Sequence, residues 1–316
     1  MKRLSLFPLA ALFLAGCGTQ TQEVANPPEY EALLDSAWAR YASGRYGEAS
    51  ATFDSVLVVN AYSSEAHLGM GYSLVQLSYY SDAFGSFSVV TVLENAAEPY
   101  VETLMVVTLD TTALGSTVDT SWFSQVRYGD TLGVWRFRIA PAGALLNVYE
   151  LVMDGAKQFI VGVDDEYVYV ASKEAPFSDT TEHSFSISYS YYKPHSMSDL
   201  AWYAYIGRGT TTYIEGTNKA LAFANLRLAH LALDSLEYVA PQRVVNALNM
   251  DGDRLIGYEA YVAFKSDRLP NAVWALHQLY PDWPHSGWDI RNPDDFQWAL
   301  DGKNQYEILQ KLEQSF

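Results

Sequence analysis

The run Gly44-Arg-Tyr46-Gly-Glu-Ala49-Ser-Ala-Thr-Phe53 lines up with Ser78-Tyr-Tyr80-Ser-Asp-Ala83-Phe-Gly-Ser-Phe87 at a constant offset of 34 residues. Ala37 and Gly71, Leu33 and His67, and Val56 and Val90 fall at the same offset. A chain that repeats at this length is built from similar supersecondary units, because one unit cannot bury its apolar face alone and must stack on the next. Small residues recur where two helices of a unit would cross: Ala37 and Gly71 on the first helix, Ala49 and Ala83 on the second. They let the axes approach, and Tyr46, Phe53, Tyr80 and Phe87 fill the space around the crossing. The pattern predicts two helical hairpins over residues 30–95.

These spacings resemble the tetratricopeptide repeat. His67 in place of a large apolar residue and Ser78 in place of the turn glycine depart from its pattern. The resemblance implies an array whose first helices line a concave binding face. Carried over by spacing, that face holds Glu31, Leu34, Trp38 and Tyr41, then Glu65, Leu68, Tyr72 and Gln76. Trp38, Tyr41, Tyr72 and Gln76 are the candidate partner-binding residues, since Tyr and Trp offer large rigid contact area with a polar tip. The alternative left open is that this aromatic stripe packs against other parts of the same chain.

Two hairpins rarely form a stable array, and a further one is expected downstream. Ile256, Ala260, Phe264, Leu269, Ala272, Leu276 and Leu279 reproduce the spacings over about 253–284, followed by Pro281 and Pro284. Helices are also predicted over 198–206, with Ser198 as N-cap, and over 218–238; together they read as a degenerate hairpin. Asn304–Phe316 suits a terminal amphipathic helix. Residues 196–316 are thus a C-terminal helical part, whereas 96–195 read as strand. Leu104–Leu109, Val134–Ile139 and Leu145–Met153 are rich in β-branched and apolar residues. Asp154-Gly155 is a hairpin turn signal, and Glu166–Ala171 and Phe185–Tyr191 alternate with period two. The expected fold class is α+β: an all-α tetratricopeptide-like solenoid interrupted by a small antiparallel β insert, sandwich or barrel.

The amino-terminal segment carries a different kind of information. Lys2 and Arg3 precede an apolar stretch from Leu4 to Ala15, and Leu14-Ala15-Gly16 runs into Cys17, the single cysteine of the chain. Charge, a short apolar core and small residues describe a secretory signal, and the stretch is shorter than the roughly 20 residues that span a bilayer. The segment resembles a bacterial lipoprotein signal peptide, residues 1–16, ending at a lipobox. The resemblance implies lipidation of Cys17, and Gly18 after it favours the outer membrane. Residues 17–29, ending in Pro27-Pro28, read as a flexible tether.

Removing residues 1–16 leaves 18 basic side chains (20 less Lys2 and Arg3) against 37 acidic ones, a net charge of −19. That charge opposes nucleic-acid binding, which needs a clustered basic surface. With Cys17 lipidated no thiol remains for a disulfide, a metal or a nucleophile. No hydrolase elbow, zinc-protease, Walker or dinucleotide motif occurs. The 6 histidines (His67, His183, His195, His230, His277, His285) lack ligand spacing, so no metal or cofactor is expected. Asn249-Met-Asp251-Gly252-Asp253 lacks the first and last carboxylates of a calcium loop and reads as a turn and helix cap. Asp164-Asp165-Glu166 reads as a solvated turn. A second aromatic set, Trp122, Trp135, Tyr167, Tyr169, Tyr189, Tyr191 and Tyr192, suits a sheet core better than a sugar platform. A third, Tyr280, Trp283, Trp288 and Trp298, is expected to pin the C-terminal loop.

The expected function is a lipid-anchored, non-enzymatic scaffold in the bacterial cell envelope, bound to the membrane through its lipid and to an envelope protein or peptide through the concave face. The alternative is a surface lipoprotein that binds carbohydrate or another nutrient.

Overall fold

The computed structural model describes residues 27–94, 100–106, 133–138, 144–163, 167–172, 185–192, 197–233, 236–266, 268–283, 287, 295 and 305–315. Cys17, Trp122, Asp164-Asp165-Glu166, His183, His195, His285, Trp288 and Trp298 lie outside these residues.

Four helices open the described chain: α1 (Pro28–Ala42), α2 (Tyr46–Val59), α3 (Ser64–Gln76) and α4 (Tyr80–Leu93). Each packs on the next. α1 starts with Pro28 in its first turn, where a missing N–H costs nothing. α3 is capped by Ser63, whose hydroxyl accepts the Ala66 amide at 3.2 Å. Gly44 makes the first hairpin turn at φ 76°, and Ser78 takes the same left-handed conformation at φ 67° in the second. That geometry costs a residue with a Cβ about 1–2 kcal/mol.

Packing explains where glycine is required inside the helices. A Cβ on Gly69 would overlap the Phe53 ring, and one on Gly71 would meet Phe87 at 2.6 Å. The same Gly-x-Gly pair returns as Gly207 and Gly209 in α5 (Asp199–Glu215). There a Cβ on Gly207 would overlap Phe87, and one on Gly209 would lie 2.7 Å from Leu226 of α6 (Lys219–Leu231). Phe87 therefore sits between the glycines of two successive hairpins. α5 and α6 follow directly on α4, although some hundred residues of chain separate them.

The helical series then continues. α7 (Gln242–Leu248) turns aside onto α1, α8 (Gly252–Lys265) packs on α6, α9 (Leu269–Leu279) packs on α8, and α10 (Gln305–Ser315) rests on both. Ser198, Asn218 and Asp251 cap α5, α6 and α8 through their side-chain oxygens. Two boundaries differ from the sequence expectation. α5 runs nine residues past Ile206, and α6 ends at Leu231 rather than 238. Gly207, Gly209 and three consecutive threonines look like a helix end, yet the glycines are demanded by packing. The Thr210, Thr211 and Thr212 hydroxyls donate back to the carbonyls of Ile206, Gly207 and Arg208 at 2.8, 3.0 and 2.8 Å.

The strands form two antiparallel sheets. One has the order β1 (Tyr100–Val106), β7 (Phe185–Tyr192), β3 (Ala144–Met153), β4 (Ala156–Lys157); the other runs β2 (Gly133–Arg138), β6 (Tyr167–Ser172), β5 (Phe159–Val163). Asp154 and Gly155 join β3 to β4 with φ 49° and 78°, the type I′ hairpin geometry. Two short parallel strands, β8 (Met197–Ser198) and β9 (Leu236–Tyr238), flank the α5–α6 hairpin. The structure is thus α+β, with paired helices and small antiparallel sheets.

Sheets and helices are stitched together by buried polar side chains. Asn271 of α9 bonds both polar groups of Val163, donating to its carbonyl at 2.6 Å and accepting its amide at 3.0 Å. Asn147 donates to Ala220 O at 2.8 Å, Arg227 to Leu145 O at 3.2 Å and Arg268 to Val148 O at 3.3 Å. Burial, reinforced by Arg227, pulls the Arg268 guanidinium down to about 10. Tyr169, Tyr189, Tyr191 and Tyr192 are buried in or beside this sheet core. Tyr280 and Trp283 pack partly buried against the α8–α9–α10 cluster. On the first two hairpins Val58 and Val92, related by the 34-residue offset, are left 83% and 74% exposed.

Candidate functional site

The residues placed by spacing on the face of the first helices do not share one environment. Leu34 and Leu68 are fully buried, and Trp38 is 1% exposed. The Trp38 ring stands edge-on to Tyr41 and Phe53 at 5.7 and 5.1 Å, and its Nε1–H donates to Glu65 Oε1 at 2.8 Å. Trp38 is therefore an interior residue that orients a carboxylate. Tyr41, Tyr72 and Gln76 come together instead, at the C-terminal ends of α1 and α3, where they line a cavity of about 500 Å³.

The opposite walls come from elements that the repeat spacing does not locate. α5 contributes Ile206 and Thr210, the end of α7 and the residues after it contribute Leu248, Asn249 and Met250, and α8 contributes Arg254 and Tyr258. Two hydrogen bonds and two ring contacts fix the shape. Tyr72 O–H donates to Tyr203 O at 2.8 Å, Tyr203 O–H donates to Met250 O at 3.3 Å, and the Tyr72 ring packs edge-on to Phe87 at 4.9 Å. Tyr41 packs edge-on to Tyr46 at 5.3 Å.

α7 closes the site on the side of the first hairpin. Its Arg243 points a fork at Glu65, with Nε 2.5 Å from Oε1 and Nη2 2.8 Å from Oε2. The same guanidinium reaches Asp35 at 3.0 Å and Glu31 at 2.9 Å. Glu65 is 8% exposed, and this partner and the Trp38 indole supply the hydrogen bonds to its oxygens. The hydrogen bond to Glu65 raises the guanidinium pKa well above its ordinary value, against the effect of burial. Glu31 and Glu65, expected on a free concave face, are thereby committed to the chain's own helix.

The electrostatics of the cavity are those of neutral donors. Burial pushes the Tyr41 phenol up to about 12, although a hydrogen bond with Gln76 works the other way. Burial also raises the phenols of Tyr72 and Tyr258, the latter opposed by a hydrogen bond with Thr210. At neutral pH all three keep their protons. Among the described lining residues there is no carboxylate, imidazole or thiol, and the one charge is that of Arg254. Such a lining supplies shape, hydroxyl and amide hydrogen bonds and one cation.

The remaining candidates resolve into structural roles. His230 Nδ1 lies 2.5 Å from Glu259 Oε2 in a part-buried pair between α6 and α8, beside Trp274. His67 and His277 each contact a backbone carbonyl, those of Ala61 and Trp283. No group of three His, Cys, Asp or Glu side chains that could hold a metal ion occurs among the described residues. Asp251 accepts the Arg254 amide at 2.9 Å, as the cap that opens α8. Arg243 and Arg254 carry no repeat signal; what marks them in a strongly acidic chain is that each follows a helix-start residue, Pro241 and Asp251. Comparison with family models, with curated proteins and with solved structures finds no match to this chain.

Proposed function

We propose that this chain is a lipid-anchored, non-enzymatic binding protein of the bacterial cell envelope, held at the outer membrane by lipid on Cys17, with tetratricopeptide-type hairpins as the scaffold of its binding site. The observation that carries the reading is the convergence of Tyr41, Tyr72 and Gln76, from two successive first helices, on one cavity with Thr210, Arg254 and Tyr258. Tetratricopeptide-type proteins present partners to that side of the array. Cavities of about 300–1,000 Å³ with apolar walls and a few polar groups are the common form of a small-ligand site.

A partner protein lying along the whole face is the scaffold form of this reading, and it would need the space that α7 takes. With Arg243 holding α7 on α1 and α3, the place left for an occupant is the cavity itself. That favours a small molecule, or one inserted side chain of an envelope protein, over an extended peptide. Carbohydrate is the alternative small occupant, and Tyr41, Tyr72 and Tyr258 are the lining rings it would meet.

Two experiments test the parts separately. Metabolic labelling with an alkyne fatty acid should mark the wild-type chain and leave Cys17→Ser unlabelled and unprocessed; a normally processed, membrane-retained Cys17→Ser chain removes the anchor from the account. Crosslinking in intact membranes, followed by purification of the tagged chain and mass spectrometry, should recover an occupant with the wild type that is lost when Thr210→Trp fills the cavity. Equal recovery with both would place the binding elsewhere.

A further inference from the structure

Among the described lining residues of the cavity the one charged side chain is Arg254. Arg254 is exposed at the cavity edge, in the first turn of α8. Its Nη1 donates to the Asn249 carbonyl, and no carboxylate pairs with its guanidinium among the described residues. The contrast with Arg243, which engages three carboxylates, is informative in a chain of 37 acids and 20 bases. Asp199 and Asp251, the acids that act on Tyr203 beside the cavity, both accept backbone amides, of Ala240 at 2.8 Å and of Arg254 at 2.9 Å. The cavity has apolar walls: Tyr41 and Tyr72 line it together with Val75, Ile206 and Leu248, and the two phenols stay neutral far above physiological pH.

We infer that the cavity binds a small organic anion, with an apolar ring or short chain seated among Tyr41, Tyr72, Ile206 and Leu248 and its acidic group on Arg254. The inference rests on the reading of this cavity as the binding site and takes its small-ligand form. A cation would find no compensating charge among the described lining residues. A neutral apolar molecule would leave the guanidinium idle and gain only the hydrophobic share. A guanidinium at the edge of a partly closed site strengthens an ionic hydrogen bond without the full cost of burying a charge.

The test uses the full-length chain in lipid nanodiscs, with empty nanodiscs as the blank, titrated calorimetrically with 1-naphthoate and with 1-naphthylmethanol. The two probes share one ring system and differ in charge. The expected result is saturable binding of naphthoate, about tenfold tighter than naphthylmethanol, weakening as salt is raised. Arg254→Gln should bring naphthoate to the level of the alcohol with the melting temperature unchanged, since the side chain is exposed. Thr210→Trp should remove both. Equal affinity for the two probes, unaffected by Arg254→Gln, overturns the anion assignment while leaving the cavity as a binding site. No binding of either probe at millimolar concentration overturns the small-ligand inference, and the cavity is then judged by in-membrane capture alone.

Discussion

Arg243 meets Glu65 through two parallel hydrogen bonds, 2.5 and 2.8 Å long, across 178 positions of sequence. The pair ties the short α7 to α3, while Asp35 and Glu31 hold the same guanidinium from α1. Removing one partner of a largely buried pair leaves the other charge without compensation, at a cost of about 3 kcal/mol. Arg243→Ala should therefore lower the denaturation midpoint sharply, and Arg243→Lys should recover only part of it because an ammonium cannot make the fork. A midpoint within experimental error of wild type would mean that α7 is not held by this cluster.

The packing of Phe87 between Gly71 and Gly207 yields a second prediction. Gly207→Ala sets a methyl group against the aromatic ring and should destabilise by about 1–3 kcal/mol. Phe87→Leu should also destabilise alone, yet the double variant should be more stable than the sum of the two losses. Additive losses in that double-mutant cycle would show that α5 does not lie against α4 in this way.

Ser78 offers the opposite sign. Its φ of 67° suits glycine, the residue found at φ 76° in the equivalent turn at Gly44. Ser78→Gly should raise stability by about 0.5–1 kcal/mol, the relief of strain exceeding the added freedom of the unfolded chain. Thermal unfolding of the single variant is sufficient, and a lower melting temperature would count against the turn geometry.

These elements differ in how far the sequence discloses them. The 34-residue offset disclosed α1–α4 because the crossing residues Ala37, Gly71, Ala49 and Ala83 repeat in register. Ser198 and Asp251 were legible as caps from side-chain chemistry alone, and Asp154-Gly155 as a turn. The extent of α5 was hidden, since Gly207, Gly209 and three threonines have poor helix propensity, and only the rings of neighbouring helices explain them. Among the candidate site residues, Tyr41, Tyr72 and Gln76 meet at a cavity, whereas Trp38 turns inward to Glu65. Which of the four candidate positions stays accessible depends on packing against the rest of the chain, and Arg243 gives no periodic sign of its long-range partners.

Tyr41 sets an expectation for alkaline pH. Its folded phenol is raised to about 12 by burial, while the unfolded value is 10.0. Between these values the unfolded chain has released a proton that the folded chain retains, so stability is fully present below pH 10 and falls as pH rises towards 12. Tyr203, also raised to about 12 by burial, acts in the same direction. Denaturant midpoints at pH 9 and pH 11.5 should differ, and Tyr41→Phe should reduce that difference by about 2 kcal/mol. An unchanged difference would mean that the Tyr41 phenol is not held out of water.

The most direct measurement places a photoreactive amino acid at Gln76, inside the cavity, and another at exposed Val58 as the control, in intact bacterial envelopes. After irradiation, the intact mass of the purified chain distinguishes a protein adduct from a small-molecule adduct. A binding protein that works through this cavity gives one discrete adduct at position 76, absent at position 58 and lost in the Thr210→Trp background. No adduct at 76 beyond the level at 58, with the same melting temperature as wild type, would contradict the assignment of the cavity as the functional site.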